Sequence, residues 1–169
     1  MGNFVNLKKV PYNIAFYLLS ERWLFMALDN KLGIIDSAEL ARQEEKISKK
    51  KAAMMFESDF FDELKPGSFE ALVSIHKYLF AGKIRDVNLA KGNFRFVPIM
   101  YLNEALRNIE KMPQNSFDEI IEKYVEMNIA HPFREGNGRS TRIWLDNILK
   151  SEIGQVVDWS KVDKDDYLL

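Results

Sequence analysis

Twelve consecutive residues, from His131 to Arg142, combine groups that can bind phosphate with one that can move a proton. The segment reads HPFREGNGRSTR and lies between two amphipathic helical stretches. His131 is its one side chain able to accept a proton near neutral pH. Gly136 and Gly138 can adopt positive φ, which turns backbone N–H groups toward an anion. A helix that begins here adds the positive end of its dipole.

Three charged side chains in the same segment match the needs of a polyphosphate. Arg139 and Arg142 are three residues apart, so both project from one side of the first helical turn. Guanidinium groups suit phosphate oxygens. Glu135 would repel phosphates unless a Mg²⁺ ion bridged them. Each part has a simpler explanation in a turn or a solvated face, but their conjunction indicates a nucleotide phosphate, a divalent ion and a base.

The composition of the chain limits the number of domains and the classes of partner and metal site to consider. The chain has 169 residues, which fits one domain. Its 24 Lys and Arg balance 25 Asp and Glu, so global charge does not favour a nucleic-acid or membrane partner. Cysteine is absent, which excludes disulfides and thiolate metal sites. The apolar stretch from Val10 to Leu28 is interrupted by polar residues and is not a membrane span. We therefore expect a cytoplasmic protein.

Helix-start and helix-stop residues divide the chain into mostly helical segments. The predicted helices run from Pro11 to about Leu28, from Asp36 to about Phe56, from Ser68 through Leu79, from Pro98 to Met112, from Ser116 to the loop at His131, and from that loop to about Lys150. A further helix is expected to begin at Ser160. His76 falls on an apolar helical face, so we interpret it as a hydrogen-bonded core histidine.

One hairpin interrupts the helices. Residues 84–89 and 94–97 read as two strands joined by a turn at 90–93 that contains a glycine. A hairpin of this size is marginal alone, so it must pack on helices or offer its edge to another chain. The pattern favours neither a simple connector nor a peptide-docking edge.

The segment from His131 to Arg142 resembles the Fic motif, His-x-Phe-x-Asp/Glu-Gly-Asn-Gly-Arg-x-x-Arg, with every defining position present. The likeness extends from about Asn30 to the end and includes 91–96 and 124–130. It is most similar to small bacterial single-domain Fic proteins whose inhibitory helix lies at the C-terminus. The resemblance implies the all-α Fido fold with one β-hairpin flap. One domain would span 1–169, with 1–30 as an N-terminal helical extension.

The resemblance also implies a reaction, the transfer of AMP from ATP to a Ser, Thr or Tyr hydroxyl of a protein. By matching position, the expected roles are His131 as the base, Glu135 as the Mg²⁺ ligand, Gly136, Asn137 and Gly138 as the anion hole, Arg139 on the phosphates and Arg142 at the γ-phosphate end. Related Doc-type kinases carry lysine at the position of Gly138, so glycine favours nucleotidyl transfer. The hairpin resembles the family's flap, which implies target docking at Lys91, Gly92, Asn93 and Phe94.

Two features depart from the family pattern. A short segment with an aromatic residue, normal in the family between Phe80 and Ala81, is absent. The inhibitory motif Ser/Thr-x-x-x-Glu-Gly/Asn is absent too, and in similar relatives its helix lies beyond the position of Leu169. We expect from this a truncated, disinhibited form of the enzyme.

Two other functions stay open. The first is transfer of another nucleotide or removal of AMP, and the second is a non-catalytic nucleotide-binding module whose flap recruits partners. Family analogy alone suggests a type II topoisomerase as the target. It also suggests self-modification and homo-oligomers.

Overall fold

The structure is a computed structural model that describes residues 3–5, 36–80 and 82–162. The helix predicted from Pro11 to about Leu28 lies outside these residues. The described helices are α1 (Ser37–Phe56), α2 (Phe69–Leu79), α3 (Ile99–Lys111), α4 (Phe117–Ala130) and α5 (Asn137–Ile153). The short strands are β1 (Asn3–Val5), β2 (Ala90–Lys91), β3 (Phe94–Arg95) and β4 (Gln155–Val157). The predicted mostly helical fold with one hairpin is confirmed.

Side-chain caps begin three of the helices where the sequence predicts them. The Asp36 carboxylate accepts a hydrogen bond from the Glu39 N–H at 2.7 Å and begins α1. Ser68 caps α2 by accepting from the Ala71 N–H at 3.1 Å. Ser116 and Glu119 form a complete capping box at α4. Such caps satisfy N–H groups that have no partner inside the helix, so they fix where each helix starts.

Helix α5 lies at the centre of the core and packs against α2, α4 and β4. Its residues 143–149 are all buried. Trp144 is fully buried, and its indole N–H donates to the Ser68 carbonyl oxygen at 2.9 Å. That bond ties the middle of α5 to the start of α2. The loop before α5 is therefore held by the most buried helix of the described chain.

The hairpin is shorter than predicted. Strands β2 and β3 pair antiparallel over two residues each, and the turn is Gly92–Asn93 rather than 90–93. The prediction of a strand over 84–89 is wrong. In that segment the Ile84 bridge goes to Phe133 and not to the second hairpin arm. The main-chain N–H of Arg85 donates to Pro132 at 2.9 Å. Residues 84 and 85, which precede the hairpin, thus pair with the loop after α4.

Two features of the strands and the C-terminal segment were not predicted. Strand β1 pairs parallel with β4, with Phe4 opposite Val156. At Ser160, where a helix is expected to begin, the structure has a single 3₁₀ turn, Trp159–Lys161, capped by Asp158, and the rest of the expected helix lies outside the described residues. The turn ends because Val162 has an extended backbone. Residues 163–169 lie outside the described chain. Among the described helices, none has the length and apolarity that a membrane crossing requires.

Replacing Ser116 by Ala should lower the free energy of unfolding by about 1 kcal/mol, because the capping box at α4 is lost. Urea denaturation followed by circular dichroism measures this difference. Ser74 lies inside α2, where alanine is the better helix former, so Ser74→Ala is the matched control. An equal loss in both variants would contradict a capping role.

Candidate active site

His131 ends α4 in a left-handed conformation, with φ 48° and ψ 61°. It is the non-glycine residue with positive φ in the described part of the chain. Such a backbone is costly for a side chain with a Cβ, by about 1 kcal/mol or more. The surroundings hold it in place, since its N–H donates to Met127 at 3.1 Å and its carbonyl oxygen accepts from Arg85 at 2.7 Å.

The imidazole of His131 stacks on the ring of Phe96, which follows β3. The ring centroids are 3.8 Å apart and the planes differ by 22°. Phe94, on β3 itself, contacts Phe96 edge-on with centroids 5.3 Å apart. A continuous row of rings therefore joins the hairpin to the histidine predicted to be the base.

Asn137 closes the loop between α4 and α5. Its amide oxygen accepts from the Phe133 N–H at 2.9 Å, and its amide nitrogen donates to the Phe133 carbonyl oxygen at 2.8 Å. Both residues are fully buried. The side chain of Asn137 thus positions the loop, and its contribution to an anion hole would come from the main chain.

His76 also holds the loop between α4 and α5 in place. Its Nδ1 accepts from the Gly82 N–H at 3.1 Å, so the neutral ring carries its proton on Nε2 and donates to the Glu135 carbonyl oxygen at 2.9 Å. Its ring also stacks on Phe133, with centroids 3.7 Å apart. His76 is buried, and its prediction as a hydrogen-bonded core histidine is confirmed.

Gly136 is the position where the loop requires glycine. Its φ is +71°, and a Cβ built there would lie 2.5 Å from a ring carbon of Phe80. Helix α5 begins immediately afterwards, with Ser140 donating to the Gly136 carbonyl oxygen at 3.0 Å. The first turn of an α-helix presents N–H groups without intrahelical acceptors together with a positive dipole end. Gly138 lies within that turn.

The two arginines of the motif lie against aromatic rings. The Arg139 guanidinium carbon is 4.5 Å from the centre of the Phe80 ring, and its Nη1 donates to the Ser48 hydroxyl of α1 at 3.2 Å. The Arg142 guanidinium carbon is 5.6 Å from the centre of the Trp159 ring. Both side chains are half-buried. The contacts of the two arginines with Phe80, Ser48 and Trp159 were not predicted from the sequence.

Asp146 anchors the segment that carries Trp159. Its carboxylate accepts from the Trp159 indole N–H at 2.7 Å and from the Val157 N–H at 2.9 Å. Burial raises the pKa of this carboxyl, while the two hydrogen bonds and the charge of Arg142 act to lower it. Asp146 is one helical turn from Arg142. A signal in the sequence existed, because an aspartate inside an apolar helical face needs partners.

The remaining predicted residues lie at the rim of the site. The Glu135 side chain is exposed at the loop. At the hairpin tip, Gly92 and Asn93 are exposed and Lys91 and Phe94 are half-buried. The structure thus brings His131, the first turn of α5 and the hairpin rings together.

The family model described as the Fic/DOC family matches residues 66–149, which include α2, the hairpin, the loop before α5 and most of α5. These residues form a domain of this family. The match contains every motif residue from His131 to Arg142.

The relatives that match this chain are named as protein adenylyltransferases. It is 30% identical over 154 residues to protein adenylyltransferase VbhT of Bartonella schoenbuchensis, covering 80% of this chain and 31% of that protein. It is 26% identical to a probable protein adenylyltransferase Fic of Salmonella typhimurium, covering 79% of this chain and 72% of that one. The chain thus spans less than a third of VbhT.

Solved Fic structures share the fold. The BepC protein of Bartonella tribocorum, with bound AMPPNP, matches with a TM-score of 0.65 at 24% identity, covering 88% of this chain and 83% of that one. The N-terminal Fic domain of a putative cell filamentation protein from Bartonella quintana matches with a TM-score of 0.63 at 24% identity, covering 82% and 76%.

Replacing Gly136 by Ala should destabilise the protein more than the same change at Gly154. Both glycines have nearly equal φ, +71° and +66°, but a Cβ at Gly154 meets no atom of the described chain within 4 Å. The shared backbone strain costs about 1 kcal/mol. The contact with Phe80 should add roughly 1–3 kcal/mol at Gly136 alone. Urea unfolding of the two variants measures the difference, and equal losses would contradict it.

Replacing Asn137 by Asp should lower the free energy of unfolding by roughly 3 kcal/mol at neutral pH, because a buried carboxylate would face the Phe133 carbonyl oxygen. Burial raises the pKa of an introduced carboxyl, and its protonated form can donate again. The deficit should therefore shrink as the pH falls. Unfolding at several pH values tests this, with exposed Asn108→Asp as the control. A deficit independent of pH would argue against the clamp.

Proposed function

We propose that this protein transfers AMP from ATP to a hydroxyl group of a protein target. The observation that supports the proposal most strongly is that one short loop, 132–136, connects His131 to the N-terminal turn of α5. Buried hydrogen bonds fix the geometry of this loop. A proton acceptor and an anion-binding helix end are thereby held in one rigid unit. The names of the relatives, protein adenylyltransferases, support the same reaction.

The phosphates of ATP would lie at the start of α5. The first-turn N–H groups and the helix dipole there favour negative charge. Arg139 and Arg142 add two guanidinium groups, which pair well with phosphate oxygens. Their aromatic supports restrict the side chains before the nucleotide arrives. AMPPNP in the related BepC structure supports an adenine nucleotide as the ligand.

His131 would act as the general base. Its imidazole takes the proton of the target hydroxyl, and the hydroxyl oxygen attacks the α-phosphorus of ATP. A new oxygen–phosphorus bond forms, and the bond to the β-phosphate oxygen breaks. Pyrophosphate leaves, and the proton stays on the imidazolium until it passes to solvent. Because phosphoryl-type transfer depends on position and charge neutralisation, a prearranged loop supplies much of what the reaction needs.

Glu135 is the residue that would hold a Mg²⁺ ion. The described residues contain no cluster of three or more metal-binding side chains. One carboxylate fits magnesium, which takes most of its ligands from phosphates and water in nucleotide sites. The bound ion would neutralise phosphate charge.

The hairpin would dock the target. Within the described residues, strands β2 and β3 form a two-stranded antiparallel sheet. An extended segment can pair with the edge of such a sheet, and side chains at Lys91 and Phe94 would then lie beside it. The row of rings from Phe94 to His131 supports this location for the target. The topoisomerase target, self-modification, self-association and a cytoplasmic location stay predictions.

Replacing His131 by Ala should reduce AMP transfer at least 100-fold, because the proton acceptor is lost while the phosphate site stays. Incubation with α-labelled Mg-ATP, followed by detection of label on the chain or on lysate proteins, measures transfer. Calorimetry with ATP should show binding retained. Glu122→Ala, an exposed change on α4, is the control.

Three outcomes would contradict the proposal. Transfer from GTP, UTP or CTP in preference to ATP would indicate another nucleotidyl donor. Release of AMP from a modified protein, without its addition, would indicate that the enzyme removes AMP by hydrolysis. ATP binding without transfer by the unaltered protein would favour a regulatory binding module.

A further inference from the structure

Arg85 is a buried arginine outside the family motif. Its residue is only 2% exposed. Its Nε donates to the His131 carbonyl oxygen at 2.7 Å and its Nη1 to Val87 at 2.8 Å. Its Nη2 donates to Ala130 at 3.0 Å and also to Val97. Within the described residues, all these acceptors are main-chain carbonyl oxygens.

The guanidinium of Arg85 is a charge buried away from water, and this burial costs free energy. Burial lowers the pKa of the Arg85 guanidinium, which reflects the penalty of removing that charge from water. Four carbonyl oxygens offset the penalty only while the planar guanidinium reaches all of them. The arrangement of those carbonyls is therefore strongly restrained.

The carbonyls belong to three separate pieces of the site. Val87 lies before the hairpin and Val97 lies after it, so Arg85 joins both arms at the base. Ala130 and His131 form the end of α4. A main-chain bond also joins the hairpin base to α4, because the Val97 N–H donates to the Ile129 carbonyl oxygen at 3.2 Å. The hairpin base and the histidine backbone are thus parts of one hydrogen-bonded unit.

We infer that Arg85 is a positioning residue that sets the imidazole of His131 relative to the hairpin that docks the target. This inference rests on the proposed function. Arg85 holds the carbonyl of a residue whose backbone is left-handed and costly, and Phe96 holds the ring of the same residue. Both contacts come from the segments that flank the hairpin. A target paired with the hairpin edge is therefore delivered at a fixed distance from the base.

Lysine should not replace Arg85. An ammonium group is a point charge with three donors and lacks the planar fork that spans carbonyls on opposite sides. In Arg85→Lys the positive charge stays, but the hold on His131 and on one hairpin arm is lost. The proposal thus predicts a defect that comes from geometry and not from charge.

The two histidines of the chain give a test that does not depend on activity. In the unaltered protein, the imidazole protons of His131 should be shifted upfield in the proton NMR spectrum by the stacked Phe96 ring, and His131→Ala assigns them. In Arg85→Lys that shift should be lost. The His76 signals should persist, because its bonds to Glu135 and Gly82 do not involve Arg85. Unchanged His131 signals would overturn the inference.

Activity separates positioning from general support. Arg85→Lys should lower the rate of AMP transfer from α-labelled Mg-ATP roughly 100-fold, as misplacement by about 1 Å does in other enzymes. The dissociation constant for ATP, measured by calorimetry, should not change, because the phosphate site begins at α5. Parallel losses of ATP binding and transfer would show a merely structural role. If the unaltered protein transfers no AMP, the proposed function fails, while the NMR test still decides the placement of His131.

Asp86 supplies a matched control. Its carboxylate pairs with Arg134 at 2.6 Å and joins the same two segments as Arg85, but at the surface. Exposed pairs contribute little, so Asp86→Ala should leave the His131 signals and the rate of transfer unchanged. An effect as large as that of Arg85→Lys would overturn a special role for the buried contact.

A second variant keeps the test decisive if Arg85→Lys does not fold. Phe96→Leu removes the ring stack but leaves the four carbonyl bonds of Arg85. Because those bonds hold the main chain of His131, transfer should fall less than in His131→Ala. A loss as complete as in His131→Ala would contradict the primary role given to Arg85.

Discussion

The two hydrogen bonds between the Asn137 side chain and the main chain of Phe133 are the constraint on which the site depends. They close a loop that must change direction between two packed helices within a few residues. With the loop closed, Gly136 lies under Phe80 and α5 begins at a defined point. The position of the histidine and of the helix N-terminus then follow from one another. The burial of both partners makes the closure strong, since an opened amide would lie unsatisfied in the core.

Local signals predicted three of the helix starts well, because each of these depends on residues three apart. Asp36, Ser68 and Ser116 mark helix starts by side-chain bonds that the sequence alone specifies. The hairpin failed for the opposite reason. Residues 84–89 were predicted as a strand of the hairpin, but Ile84 and Arg85 at its start pair with residues 132 and 133, more than forty residues away. The parallel pairing of β1 with β4 is equally non-local.

The candidate site shows the same division. Residue types and spacing predicted a phosphate-binding loop with a base, and the family model covers this loop, but the roles of its residues stay predictions. The supports of its arginines could not be predicted. Ser48 lies 91 positions before Arg139, and Trp159 reaches Arg142 only because Asp146 holds the segment after α5. Tertiary packing determines those contacts, so no periodicity in the sequence reports them.

The staple that Arg85 places between Val87 and Val97 has a consequence for how such proteins diversify. Because both arms are tied at the base, the nine residues between them, 88–96, form a closed unit. Its exposed turn, Gly92–Asn93, lies outside the ring contacts of Phe94 and Phe96 that lead to the histidine. Substitutions at this turn would then leave the placement of His131 unchanged. On the proposed function, target preference and chemistry are separable, so a new specificity could arise at the turn without any change at the base of the hairpin.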